Sequence, residues 1–206
     1  MVEFDKLGIK DRVERQSGVV LDTDHFMKGR AGAASSFRKI WERVDEEGSE
    51  NVLILEDDVI FTDEALETLS KSTSDLESRN WDMFYLGVSV EATLSKKVPP
   101  FERMTNSLLR ARNSLCLHAV AYNTSILGTL LGQVPDERLI VNWIYHNLSI
   151  DGWIMNKIQA GNFDVFCTDP MIATQRPSFS DIDHNEATWG QNLINAFNQF
   201  VPPKHE

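Results

Sequence analysis

The chain has 206 residues, enough for one α/β domain with a real core and short for two. Hydrophobic residues make up 42% and charged residues 25%, an ordinary globular mix, and the net charge is −11. That charge argues against broad nucleic-acid binding, which needs a positive surface to displace counterions. A phosphate-bearing ligand stays admissible if a cation stands between it and the acidic groups.

No apolar run approaches the length needed to span a bilayer, and Met1-Val2-Glu3-Phe4-Asp5-Lys6 lacks a secretory signal pattern. Cys116 and Cys167 lie far apart with no metal-type spacing, and read as reduced, buried thiols of a cytoplasmic protein. No linker, repeat or low-complexity run divides residues 1–206, so a single domain is expected.

In chain order, Val19-Val20-Leu21 is a short strand candidate. The small residues 29–36 lead into a helix capped by Ser35 or Ser36, with Phe37, Ile40, Trp41 and Val44 at helical spacing and Gly48 at its end. Val52-Leu53-Ile54-Leu55 reads as a strand buried on both faces. Thr62 caps a helix to about Ser74, and Met83-Phe84-Tyr85-Leu86 is a second buried strand closed by Gly87. Residues 88–106 read as a loop, and Leu115 to Tyr122 as a strand. Helices follow at Ser125 to Leu131, 138–149 and 152–159, then a strand at Val165-Phe166-Cys167 and a polar tail over 174–192. Strands alternating with helices predict an α/β fold with a mostly parallel sheet.

Glu56-Asp57-Asp58 follows the first buried strand directly, at the strand end where α/β sheets bind ligands. Glu56 and Asp58 point the same way if the strand persists. Adjacent carboxylates repel, and a hard divalent cation with oxygen ligands relieves that repulsion. Mn²⁺ or Mg²⁺ would then bridge to a diphosphate; the bland alternative is an acidic turn that caps the next helix.

The run resembles the acidic motif of sugar-nucleotide glycosyltransferases of the GT-A type, and several segments look like glycosyltransferase family 25, which includes lipooligosaccharide and procollagen galactosyltransferases. Those segments are Gly32-Ala33-Ala34-Ser35-Ser36, Leu55-Glu56-Asp57-Asp58, Asp82-Met83-Phe84-Tyr85-Leu86-Gly87, His118-Ala119-Val120-Ala121-Tyr122, Asp151-Gly152-Trp153-Ile154, and Pro170 with Gln175 and Ser180-Asp181-Ile182. All six occur in the family's order. Two features depart from its pattern: Ser36 stands where a His is usual, and the family's first βα unit, with its "Val-Ile-Asn-Leu" strand and arginine-rich turn, is not matched.

The resemblance implies a GT-A-like fold, a mostly parallel central sheet flanked by helices without that first unit. It implies a metal-dependent, inverting transfer of a hexose from a UDP-sugar to a glycan or lipid-linked glycan, as in lipopolysaccharide biosynthesis, in the cytoplasm or peripheral to a membrane. Under it Asp58 is a metal ligand, Glu56 and Asp57 are ligands or contact ribose or metal-bound water, and His184 is a third ligand. Asp151 is the general base, with Asp181 as runner-up, and Trp153 offers a flat face to a sugar ring. Gln175 and Arg176 contact donor sugar or phosphate, and Arg12, Arg15 and Arg30 contact phosphate or base. His118, in an apolar strand, reads as a core histidine. The alternatives are a non-catalytic carbohydrate-binding or interaction domain derived from this fold and, with less support, a metal-dependent phosphoesterase.

Overall fold

The computed structural model describes residues 2–90, 98–180, 185–187 and 189–204. Six strands form the central sheet: β1 (Asn51–Leu55), β3 (Met83–Tyr85), β4 (Phe101–Arg103), β5 (Leu108–Ala111), β6 (Ala119–Asn123) and β7 (Val165–Thr168). Their order is β1-β6-β3-β7-β5-β4. Two short ladders stand apart from it, β2 (Val59–Phe61) with β8 (Ala173–Gln175) and β9 (Ser178–Ser180) with β10 (Asn185–Ala187).

The α/β class agrees with the sequence, but the expected mostly parallel sheet does not. Only β3 and β7 are parallel neighbours; the other adjacent pairs are antiparallel. The cause is β6, which inserts antiparallel between β1 and β3, and a β4–β5 hairpin that adds a second antiparallel edge beside β7. Even so, β1 and β3 both oppose β6 and β3 runs with β7, so β1, β3 and β7 end at the same edge of the sheet. That edge carries the acidic run.

The strands alternate sides. Ile54, Met83, Tyr85, Val120, Tyr122, Val165 and Cys167 face one core cluster, while Leu53, Phe84, Leu86, Ala119 and Phe166 face the other. The first cluster is covered by α2 (Lys28–Glu47), α4 (Leu127–Gln133), α5 (Glu137–Asn147) and α6 (Ile150–Gln159), the three later helices all packing on α2. Trp41 of α2 is fully buried, with Tyr122 edge-on at 5.7 Å. The second cluster is covered by α1 (Val2–Lys6), α3 (Ala65–Leu76) and the β2–β8 ladder.

Helix α2 begins a full two turns before the expected cap, and Ser35 and Ser36 lie inside it. The small residues serve close approach instead. A Cβ on Gly32 would lie 2.5 Å from the Val19 carbonyl oxygen, and Ser36 Oγ accepts from Val19 N at 2.8 Å. This contact holds Val19-Val20-Leu21 across the helix as non-strand backbone. Gly48 ends α2 in the left-handed conformation, as the sequence predicts.

Two elements were hidden in segments that read as loop or tail. The β4–β5 hairpin lies partly in the expected loop, and α7 (Trp189–Phe200) begins inside the polar tail. Phe197 of α7 packs on Phe101 of β4 at 5.0 Å. Arg103 extends this contact: its side chain, 3% exposed, lies 2.7 Å from Asp169 Oδ2 and donates to the carbonyls of Pro202 and Pro203. Among the described residues no helix is long and apolar enough to cross a membrane.

Candidate active site

The acidic run is a turn held from both sides. Glu56 N donates to His118 O at 2.9 Å, prolonging the β1–β6 ladder by one residue, and Val59 N donates to Glu56 O at 3.3 Å. The chain then enters β2, whose pairing with β8 sets Val59 opposite Gln175. Gln175 Nε2 lies 3.2 Å from Glu56 Oε2 and 3.3 Å from Asp58 Oδ2, so one amide spans two carboxylates. Arg176 N donates to Asp58 O at 2.8 Å, and Arg176 Nη2 to Asp57 O at 3.2 Å. Asp57 itself is exposed. Asp58 Oδ1 is buried with no hydrogen-bond partner among the described residues.

Asp151 reaches this turn from the far side of the chain. Ser149 caps α6 through the Gly152 amide, and Asp151 stands in the first turn, where an anion is favoured by the helix dipole. Its Oδ1 accepts from Gly152 N at 2.9 Å and its Oδ2 from Cys116 N at 3.2 Å. The Cys116 amide is turned this way by a left-handed backbone, φ 66°. Burial, followed by the negative charges of Asp58, Asp151 and Asp57, pushes the Glu56 carboxyl up to about 7. Burial also raises the Asp58 carboxyl, with the Gln175 hydrogen bond and the Arg176 charge opposing it. The Cys116 thiol is pushed up by burial and by Asp151 and Glu56, which leaves it protonated and unreactive.

Below the turn, the fully buried hydroxyls of Tyr85 and Tyr122 have no hydrogen-bond partner among the described residues. His118 is fully buried, with Nε2 3.4 Å from Ala173 O. Burial lowers its pKa to about 4, so it is neutral at physiological pH and serves as the core histidine its strand suggests. Gly87 fits between the same groups. A Cβ there would lie 2.1 Å from Ala173 O and 2.3 Å from His118 Nε2. The sequence marked Gly87 as a strand end; its role in seating β8 is visible only in three dimensions.

The structure thus gathers Glu56, Asp58, Gln175 and Asp151, with the Asp57 backbone at the rim. Arg30 lies to one side, its Nη1 3.4 Å from Leu148 O near the start of α6. Arg12 and Arg15 are exposed near the N-terminus, Arg12 in a 3-10 turn at Lys10–Arg12, and no described contact joins either to the acidic turn. Asp181 and His184 lie outside the described residues. Trp153 corrects the sequence reading: only 6% exposed, it packs on Trp143 at 5.4 Å and under Lys157, so it is core and offers no face to a sugar. Sequence reasoning missed Cys116, whose contribution is a backbone amide that its side chain does not advertise.

Among the described residues no three His, Cys, Asp or Glu side chains form a ready-made metal cage. The donors present suit a different kind of site. Two carboxylates, one with a buried oxygen that has no hydrogen-bond partner among the described residues, are the donor type a small hard cation takes when waters and phosphate oxygens complete its ligands.

The fold and this cluster define an α/β domain with a group of carboxylates at the carboxyl ends of its strands. A model of glycosyltransferase family 25 (LPS biosynthesis protein) matches residues 22–123, from ahead of α2 through β6 and including the acidic turn. The chain is also 37% identical over 121 residues to "Probable inactive glycosyltransferase 25 family member 3" of Rattus norvegicus, covering 55% of this chain and 20% of that protein. It therefore spans about a fifth of the length of the curated relative it matches. On the segment 22–123 this chain belongs to glycosyltransferase family 25. Asp151 and Gln175 lie beyond the matched segment and are placed at the site by the structure.

Proposed function

We propose that the chain is a metal-dependent, inverting glycosyltransferase that moves a hexose from a UDP-sugar to a hydroxyl of a glycan or lipid-linked glycan. The observation that carries this reading is the convergence of Glu56, Asp58 and Asp151 at one sheet edge, from segments far apart in sequence, with Glu56 raised to about 7 by burial and then by the neighbouring negative charges. Crowded, partly buried carboxylates are a cost to the empty protein that a cation and a diphosphate offset. Lipopolysaccharide synthesis and a cytoplasmic or membrane-peripheral setting belong to the same reading.

Bound Mn²⁺ or Mg²⁺ would supply charge neutralisation for the leaving diphosphate. Glu56 and Asp58 would hold it, and the exposed Arg176 guanidinium at the rim would meet a phosphate oxygen. Asp151, held by the Cys116 and Gly152 amides, takes the proton from the acceptor hydroxyl as its oxygen bonds to the anomeric carbon and the bond from that carbon to UDP breaks. Base catalysis of this kind contributes on the order of 100-fold or more. Asp151→Asn is therefore expected to lower Mn²⁺-dependent UDP release in the presence of acceptor by about 100-fold while leaving UDP-sugar binding in place. Release at the parent rate in that variant would remove Asp151 from the mechanism.

A second reading has specific support. The similar rat protein is named a probable inactive family member. A domain that binds a sugar nucleotide or glycan without turnover fits the same geometry. It predicts ligand binding that depends on Asp58, together with no UDP release from any UDP-hexose and acceptor pair.

A further inference from the structure

We infer that Gln175 is a positioning residue that orients the Glu56 and Asp58 carboxylates for a divalent cation, an inference that rests on the metal-dependent reading above. An amide NH₂ has two hydrogens, and the distances of 3.2 and 3.3 Å give one to Glu56 Oε2 and one to Asp58 Oδ2. With Asp58 Oδ2 so engaged, its other oxygen, Oδ1, is left buried and without a hydrogen-bond partner among the described residues. A buried acceptor without a donor is costly unless something else fills the role. The orientation is built into the backbone. Val59, the residue after the acidic run, pairs with Gln175 itself, and Arg176 N holds Asp58 O at 2.8 Å. The far end of β8 is fixed in turn, since Ile172 N and Ala173 N both donate to Leu86 O, at 3.0 and 2.9 Å. The acidic turn thus leads straight into one strand of the ladder whose other strand carries the clamp.

The chemical type of the clamp is informative. A lysine or arginine here would hold two carboxylates more strongly, but it would neutralise them and exclude a second cation. A neutral amide orders both carboxylates and leaves their charge available. The nearest cation in sequence, Arg176, directs Nη2 to the Asp57 backbone carbonyl at the rim.

The test is Mn²⁺ titration by calorimetry on the full chain, with melting curves for the metal-free proteins. Gln175→Leu is expected to weaken Mn²⁺ binding by 10-fold or more, the usual range for loss of a hydrogen bond to a metal ligand being about 10–100-fold. Gln175→Lys is expected to raise the metal-free melting temperature and abolish Mn²⁺ binding, two changes of opposite benefit that a packing role would not produce together. Asp58→Asn is the control for the site. Mn²⁺ affinity in Gln175→Leu within twofold of a metal-binding parent would overturn the inference alone. No Mn²⁺ binding by the parent would overturn the metal-dependent reading, and the inference with it.

Discussion

Gly87→Ala is expected to lower the melting temperature by about 6–12 °C, equivalent to roughly 3 kcal/mol at the upper end of overpacking costs. The new methyl would fall 2.1 Å from the Ala173 carbonyl oxygen and 2.3 Å from His118 Nε2, and neither neighbour can withdraw cheaply. Ala173 is backbone in a ladder that is also tied to Leu86 O. His118 is buried in the strand region beside Glu56, whose amide it accepts through its own carbonyl. Relief has to come from moving β8 away from the sheet, and β8 carries Gln175. The variant should therefore lose Mn²⁺ affinity as well as stability, although it changes no polar group. Differential scanning calorimetry with and without Mn²⁺ measures both; a melting temperature within about 2 °C of the parent would show that β8 is not seated as described.

Glu56→Gln should act in the opposite direction on the metal-free protein. The Glu56 carboxyl has an ordinary value of 4.5 and stands at about 7 in the fold. As pH rises from about 4.5, the unfolded chain releases this proton first while the folded chain keeps it. Stability therefore falls between about pH 4.5 and 7, and the whole penalty persists above pH 7. Glutamine does not titrate, so the substitution removes the penalty. The expected gain is on the order of 2 kcal/mol at pH 8, or about 4–8 °C, and close to nothing at pH 4. With saturating Mn²⁺ the order reverses, because the parent gains binding energy that the variant lacks. Equal melting temperatures for the two proteins at pH 8 without metal would mean that Glu56 is not buried among carboxylates as the structure has it. A site that weakens its own fold in the absence of ligand is the pattern expected of groups kept for function.

How much of this was legible in the sequence varied with the kind of interaction. The apolar run 52–55 and the carboxylates that follow were plain as a strand and its polar end, because both are written in consecutive residues; full burial was not, since β1 lies at the sheet edge and only Ile54 in it is buried. The edge at which β1 ends, and so the location of the site, followed from the same pattern. Strand direction did not. An apolar run records that both faces are covered and says nothing of the neighbour's polarity, so the antiparallel insertion of β6 was invisible. Strand β5 was hidden because Arg110 and the charged residues around the hairpin break the alternation over only four residues. In α7, Leu193 and Phe197 have helical spacing, but the polar stretch ahead of them absorbed the start of the helix.

At the site, residue types were readable and their partners were not. Gln175 was expected to touch a ligand, yet it touches the two carboxylates, a pairing that depends on the β2–β8 register. Asp151 was expected near the acceptor, and the structure adds the Cys116 amide that holds it. Trp153 was expected to face a sugar and lies in the core, because a Trp in the first turn of a helix can point either way and only packing with Trp143 decides.

The most direct measurement of the central claim is calorimetric titration of the chain with a panel of UDP-sugars, with and without Mn²⁺, beside Asp58→Asn. The account predicts heat of binding for at least one UDP-sugar that requires Mn²⁺ and disappears in the variant. No heat with any UDP-sugar in either condition, or binding that is indifferent to both Mn²⁺ and Asp58, would contradict it.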